Sequence, residues 1–153
     1  MSRVIFLDSG PLWLAVMGEK EPAGEACRDW LLSLETSGAE VVIPAVADYE
    51  VRRELFLRGA STRLHRLEAI RSRFDYLPVS EAAWDRAAEL WAFLRKKGTP
   101  TSGKENLDVD AIIAAQVLTS GQPGDSLTIA TTNVRHLVRF TGIVARVWDQ
   151  ILN

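Results

Sequence analysis

Several oxygen-bearing side chains stand where the chain is expected to leave a strand. Asp8 ends the apolar run RVIFL at 3–7, Glu50 lies a turn and a half beyond VVIP at 41–44, and Thr131, Thr132 and Asn133 follow SLTIA at 126–130. Asp110 precedes the almost wholly apolar AIIAA, with Asp108 two residues ahead of it. A carboxylate at the border of a buried helix is costly without a partner. Carboxylate and amide oxygens with no His or Cys among them suit a hard cation such as magnesium or manganese, which takes oxygen ligands and keeps several waters. Grouped carboxylates repel one another unless a cation joins them. The same ion can bind a phosphodiester oxygen, lower the pKa of a water and offset charge in the transition state, which is hydrolytic phosphate chemistry.

Each residue taken alone also has a structural reading. Asp8, followed by Ser9, Gly10 and Pro11, serves equally as an N-cap. Glu50 fits an ion pair with a neighbouring arginine on the same helix. Asp108 and Asp110 fall in a first helical turn, where the helix dipole favours negative charge. Thr132 suits a local turn through its hydroxyl as well as it suits a water or a phosphate. The constellation is stronger than its members.

These side chains converge only if strands and helices alternate. RVIFL and VVIP read as buried strands, Tyr76 to Val79 as a third, SLTIA as a fourth and Ile143 to Trp148 as a last. Between them, helical spacing runs over Glu21 to Ser37, Ala45 to Arg58, Ser61 to about Phe74, and Leu107 to Ser120, with a short helix in TTNVRHLVRF. Gly38 and Gly59 are placed as helix stops. Ser80 is a good N-cap for a helix whose Trp84, Ala87, Ala88, Trp91 and Leu94 form one stripe, so both tryptophans are expected in the core. The stretch KKGTPTSGKEN at 96–106 reads as a surface loop and a plausible wall for the cleft. Alternation of this kind predicts a single α/β domain over 1–153, a mainly parallel sheet between helical layers. In such domains ligands bind beyond the carboxyl ends of the strands, where the acidic residues fall.

Length and composition narrow the classes. A chain of 153 residues with 47% hydrophobic and 25% charged residues is an ordinary single domain, not a disordered or fibrous chain. A lone cysteine, Cys27, excludes an intrachain disulfide and Cys-rich zinc modules, and its helical apolar neighbours assign it to the core. The short VIFL run near Met1 is too brief for a signal peptide or a membrane span, so a soluble, cytoplasmic protein without a membrane partner is expected. The net charge of -2 argues against affinity built on overall attraction to nucleic acid. Locally, residues 50–75 carry seven arginines against four acidic residues, either a face of intrahelical ion pairs or a docking surface for RNA or an acidic segment. His65 and His136 lack a paired nucleophile and are left out of the chemistry. Asp8 as the nucleophile of an aspartyl phosphatase fails because Gly10 stands where that class needs a second aspartate.

LDSGPL at 7–12, YEVRREL at 49–55, DAIIAAQ at 110–116 and ATTNVRHL at 130–137 resemble, in order and spacing, the motifs of PIN-domain proteins, above all VapC-like toxins of toxin–antitoxin pairs. The resemblance spans essentially the whole chain and implies a three-layer α/β/α fold. It also implies a ribonuclease needing Mg2+ or Mn2+, which hydrolyses RNA to leave a 5'-phosphate and a 3'-hydroxyl. Carried over by motif, Asp8, Glu50, Asp110 and Asn133 are the catalytic group, and Asp8, Glu50 and Asp110 hold the metal with Asp108 as a further ligand. Many relatives have an aspartate where this chain has Asn133; an amide orients water but brings no charge. Arg135 lies beside that rim and fits either RNA backbone or plain solvent. The resemblance further implies an antitoxin that places a basic side chain in the acidic pocket, and a homodimer. The competing expectation is a catalytically weak PIN-like module that binds RNA or protein.

Overall fold

The computed structural model describes residues 1–98 and 104–152. Strand β1 (Arg3–Leu7) leads into α1 (Ser9–Ala15) and α2 (Pro22–Thr36). Then come β2 (Glu40–Pro44), α3 (Ala45–Leu57), α4 (Ser61–Arg73) and β3 (Asp75–Leu77). The second half holds α5 (Glu81–Lys96), α6 (Lys104–Leu118), β4 (Ser126–Thr131), α7 (Val134–Leu137) and β5 (Ala145–Val147), and a 3-10 turn at Trp148–Gln150.

The described strands form one sheet in the order β3-β2-β1-β4-β5, and every pairing is parallel. Val4 to Leu7 and Val41 to Pro44 are buried without a break, as strands covered by helices on both faces must be. The result is the expected three-layer α/β/α domain. From β1 the chain builds outward through β2 to β3, then returns to the other side of β1 for β4 and β5. The switch point therefore lies between the carboxyl ends of β1 and β4, where a crevice opens outside the sheet.

Helix boundaries follow local chemistry. Gly38 and Gly59, at φ +86° and +62°, take the left-handed conformation just past the ends of α2 and α3. Ser80 caps α5 by accepting from the Ala83 amide at 3.0 Å. The edge strands are shorter than their apolar runs: β3 covers Asp75–Leu77 and stops before Pro78, and β5 covers only Ala145–Val147. Cys27 is buried as expected, and burial pushes its thiol up to about 12. The anticipated loop at 96–106 is shorter than expected: Lys96 ends α5 and Lys104 to Asn106 open α6, while residues 99–103 lie outside the described residues.

One core assignment is corrected. Trp84 is 53% exposed and Trp91 39%. The buried stripe of α5 is Ala83, Ala87, Leu90 and Leu94, and each tryptophan lies one residue beyond a member of it, about 100° round the helix. Small alanines let α5 approach its neighbour closely, which leaves the bulky indoles at the rim of a groove also lined by Asp108, Ala111 and Ile112.

Candidate active site

Asp8 directly follows β1, and its amide still belongs to the sheet, donating to the Ala130 carbonyl at 2.9 Å. Both of its carboxylate oxygens are engaged. Oδ1 accepts from the Ser9 amide at 2.8 Å, so the N-cap reading is borne out, and Oδ2 accepts from Thr131 Oγ1 at 2.7 Å. The Thr131 hydroxyl also accepts from the Asn133 amide at 3.0 Å, and Thr131 is fully buried. An amide can only donate, so the hydroxyl proton needs an acceptor, which is Asp8. Capping and chemistry thus share one side chain.

Asp110 reaches the same rim from α6. It is 8% exposed, and its Oδ2 meets Arg139 Nη2 at 3.1 Å and His136 Nδ1 at 3.7 Å. Burial, then the negative charge of Asp8, raises the Asp110 carboxyl to about 7, with Glu50 adding to the rise and Arg139 opposing it. Asp8 is also raised, by burial first; its two hydrogen bonds oppose the rise and Glu50 adds to it. Asp8, Glu50 and Asp110 therefore act on one another electrostatically at the switch point. Glu50, on α3, pairs with Arg53 at 3.7 Å and lines a cleft of about 380 Å³ together with Ser9, Gly10, Trp13 and Thr132.

The remaining sequence candidates divide. Asn133 joins the rim, exposed, with its Nδ2 3.3 Å from His136 Nε2. The other ring nitrogen of His136, Nδ1, faces Asp110. Asp108 does not join the group: two residues before Asp110 on α6, it is turned about 200° away, exposed, in the groove beside Trp84 and Trp91. Arg135 is exposed. Two residues that sequence reasoning passed over, His136 and Arg139, stand at the site. His136 lies one turn beyond Asn133 in α7, whereas Arg139 lies in the turn after that helix, and no sequence signal marked it.

Among the described residues no group of three or more His, Cys, Asp or Glu side chains is disposed to hold a metal ion as it stands. Asp110 is paired with Arg139 and Glu50 with Arg53.

The arginine-rich stretch is engaged internally. Arg52 pairs with Asp48 and Glu68, Arg53 with Glu50, Arg58 with Glu54, Arg63 with Glu21, Arg71 with Glu68, and Arg73 with Glu35. Arg66 donates to the Met17 carbonyl at 2.7 Å. The expected intrahelical pairs are present at Arg52–Asp48, Arg53–Glu50, Arg58–Glu54 and Arg71–Glu68, while Arg52–Glu68, Arg63–Glu21 and Arg73–Glu35 join different elements.

A doubly wound parallel domain with carboxylates gathered at its switch point is the class of fold in which ligands bind at that crevice. The family profile described as PIN domain matches residues 5–137, and the chain belongs to that family. No curated protein sequence matches it. Solved structures share the fold. VapBC2 from Rickettsia felis, bound to a DNA fragment from its promoter, is similar at 18% identity and a TM-score of 0.71, covering 95% of this chain and 99% of that one. DNA-bound VapBC from Salmonella typhimurium is similar at 22% identity and a TM-score of 0.65, covering 97% and 99%. VapC20 from Mycobacterium tuberculosis, described as a toxin cleaving the sarcin–ricin loop, is similar at 15% identity and a TM-score of 0.61, covering 88% and 94%. No described helix is long and apolar enough to cross a membrane.

Proposed function

We propose that this PIN domain is a divalent-metal-dependent endoribonuclease, the toxin of a toxin–antitoxin pair, and that Asp8, Glu50 and Asp110 hold the cation. The observation that carries the reading is geometric: contacts running through Thr131, Asn133 and His136 join Asp8 to Asp110 at the sheet's switch point, and Glu50 lines the adjoining cleft. The donor set fits magnesium or manganese, since it offers hard oxygens whose mutual repulsion a divalent ion relieves. VapC20, a toxin that cleaves the sarcin–ricin loop, supports RNA as the substrate class.

When bound, the ion supplies Lewis acidity toward water and positive charge for the phosphate oxygens. The chain's own residues provide the placement. Ser9 and Thr131 fix both oxygens of Asp8, so the carboxylate meets a ligand without reorganising. Arg139 and His136 bracket one oxygen of Asp110. The Asn133 amide, exposed at the rim, orients water or a phosphate oxygen without adding charge. Hydrolysis breaks the P–O3' bond, with water's oxygen joining phosphorus and the 3' oxygen leaving as a hydroxyl.

The VapBC structures among the neighbours support an antitoxin as protein partner; a basic side chain from it, as the family resemblance implies, would meet the carboxylates. A second copy of the chain is the other partner, and the exposed Trp84 and Trp91 are the surface that its docking would cover.

The test is cleavage of an RNA panel with Mn2+ by the native chain, Asp8→Asn and Asp110→Asn. Cleavage by the native chain alone, abolished by chelator, is expected; equal cleavage by all three overturns the reading. The amide at Asn133 and the Arg139–Asp110 pair favour a second reading, a PIN-like module that binds RNA without cutting it. Retention of RNA with no cleavage at any Mn2+ concentration would select it.

A further inference from the structure

Arg139 is the residue of the site that neither the motif likeness nor the strand-end rule assigns. Its Nη2 lies 3.1 Å from Asp110 Oδ2, the oxygen that also faces His136. Its Nε donates to the His136 carbonyl at 2.7 Å, and its Cζ lies 5.7 Å from the ring centroid of Phe140, itself buried. Two of these three contacts come from the segment that carries Arg139. The guanidinium thus keeps a hydrogen bond and an aromatic face even when it gives up Asp110, and its side chain is 16% exposed, open to water on one side. Asp110, by contrast, is buried, and once ionised it is costly without a positive charge beside it.

We propose that Arg139 is a built-in counter-ion for Asp110, which a divalent cation must displace. This rests on the metal-dependent reading above. The guanidinium offsets the charge of the carboxylate group while the chain is metal-free, so three acidic side chains can be held at one rim. In doing so it occupies an oxygen that a metal would take. Affinity for the metal is therefore set below what the carboxylates alone would give, and Arg139 acts as a positioning residue that ties activity to the free divalent concentration.

The experiment is Mn2+ titration by calorimetry on the intact chain, on Arg139→Gln and on Arg139→Lys, at pH 8.5, where proton competition is small. Arg139→Gln is expected to bind Mn2+ about five- to tenfold more tightly than the native chain, the scale of one lost competing ion pair. Arg139→Lys keeps the charge without the fork and falls between. Independently of any variant, adding Mg2+ to the native chain shifts the Arg139 side-chain Nε resonance, while the Arg73 resonance, far from the site, stays fixed. A folded Arg139→Gln with unchanged or weaker Mn2+ affinity, or an Arg139 resonance unmoved at saturating Mg2+, overturns the proposal. Failure of the native chain and of Arg139→Gln alike to bind Mn2+ overturns the metal-dependent reading itself, a distinct result.

Discussion

Thr131 Oγ1 donates to Asp8 Oδ2 across 2.7 Å, joining the ends of β4 and β1 over 123 residues of sequence. The same hydroxyl accepts from the Asn133 amide, so one buried side chain aligns the carboxylate and the first turn of the rim that follows it. Thr131→Val keeps the shape and removes both bonds. The substitution is expected to cost about 1–3 kcal/mol, because it strands a buried acceptor and a buried donor. It also raises the Asp8 carboxyl further, since the Thr131 bond holds that value down. Urea denaturation and Mn2+ affinity measure the two effects, and Thr131→Ser should restore most of both. A Thr131→Val chain with native metal affinity would show that Asp8 does not depend on this bond.

Asp8 and Asp110 were legible through one-dimensional signals, a strand end and the edge of an apolar run, whereas Glu50 lies inside α3 with no such mark; parallel topology puts the strand ends on one side of the sheet, where the site is proposed. What the sequence hid is angular. Asp108 and Asp110 look like a pair in print, yet a separation of two residues on α6 sends them to opposite sides. Trp84 and Trp91 were assigned to the core for a related reason: a stripe drawn through every apolar residue of α5 merges the buried row of Ala83, Ala87, Leu90 and Leu94 with a flanking exposed one. His136 was set aside for want of a catalytic partner in sequence; its partner, Asp110, arrives from another helix.

The buried carboxyl of Asp110 makes metal-free stability depend on pH. Its native value of about 7 lies above the ordinary 3.8, so between those values the native state binds a proton that the unfolded chain has released. The contribution is fully present below about pH 4 and is lost as pH rises through 7. Asp110→Asn removes the dependence, and the native chain is expected to lose about 1–3 kcal/mol relative to it between pH 4.5 and pH 8, measured by denaturant unfolding in chelator. Saturating Mn2+ should then stabilise the native chain alone. Parallel pH profiles for the two chains would show that Asp110 is ionised throughout this range.

Another buried carboxylate lies two residues before Glu50 on α3. Asp48 is 3% exposed and accepts from Arg52 at 2.8 Å and 3.1 Å, while Arg52 also bonds Glu68 on α4 and Arg71 approaches Asp48 at 3.8 Å. This network ties α3 to α4 two residues before Glu50. Asp48→Ala leaves Arg52 part-buried with one partner fewer, and a loss of about 2–4 kcal/mol is expected in thermal or urea unfolding, near the low end for breaking a buried pair. Asp48→Asn retains acceptor oxygen and should lose less. Native-like stability in Asp48→Ala would mean that α3 is held by its apolar face alone.

Trp91 offers the clearest check on self-association. Both Trp84 and Trp91 are exposed around the small residues Ala88 and Ala92, a groove flat enough for a facing helix to enter. Arg95 covers the Trp91 ring, its guanidinium carbon 5.2 Å from the centroid. In a symmetric dimer the same patch meets itself, so a charge placed there meets its own copy. Trp91→Lys is therefore expected to convert a dimer to a monomer in light scattering while leaving folding free energy within about 1 kcal/mol, since the side chain contributes little to the core. RNA cleavage per chain should fall only if the two clefts work along one groove. A native chain that stays monomeric at the highest concentration reached, or a Trp91→Lys chain that remains dimeric, would remove this face from the assembly.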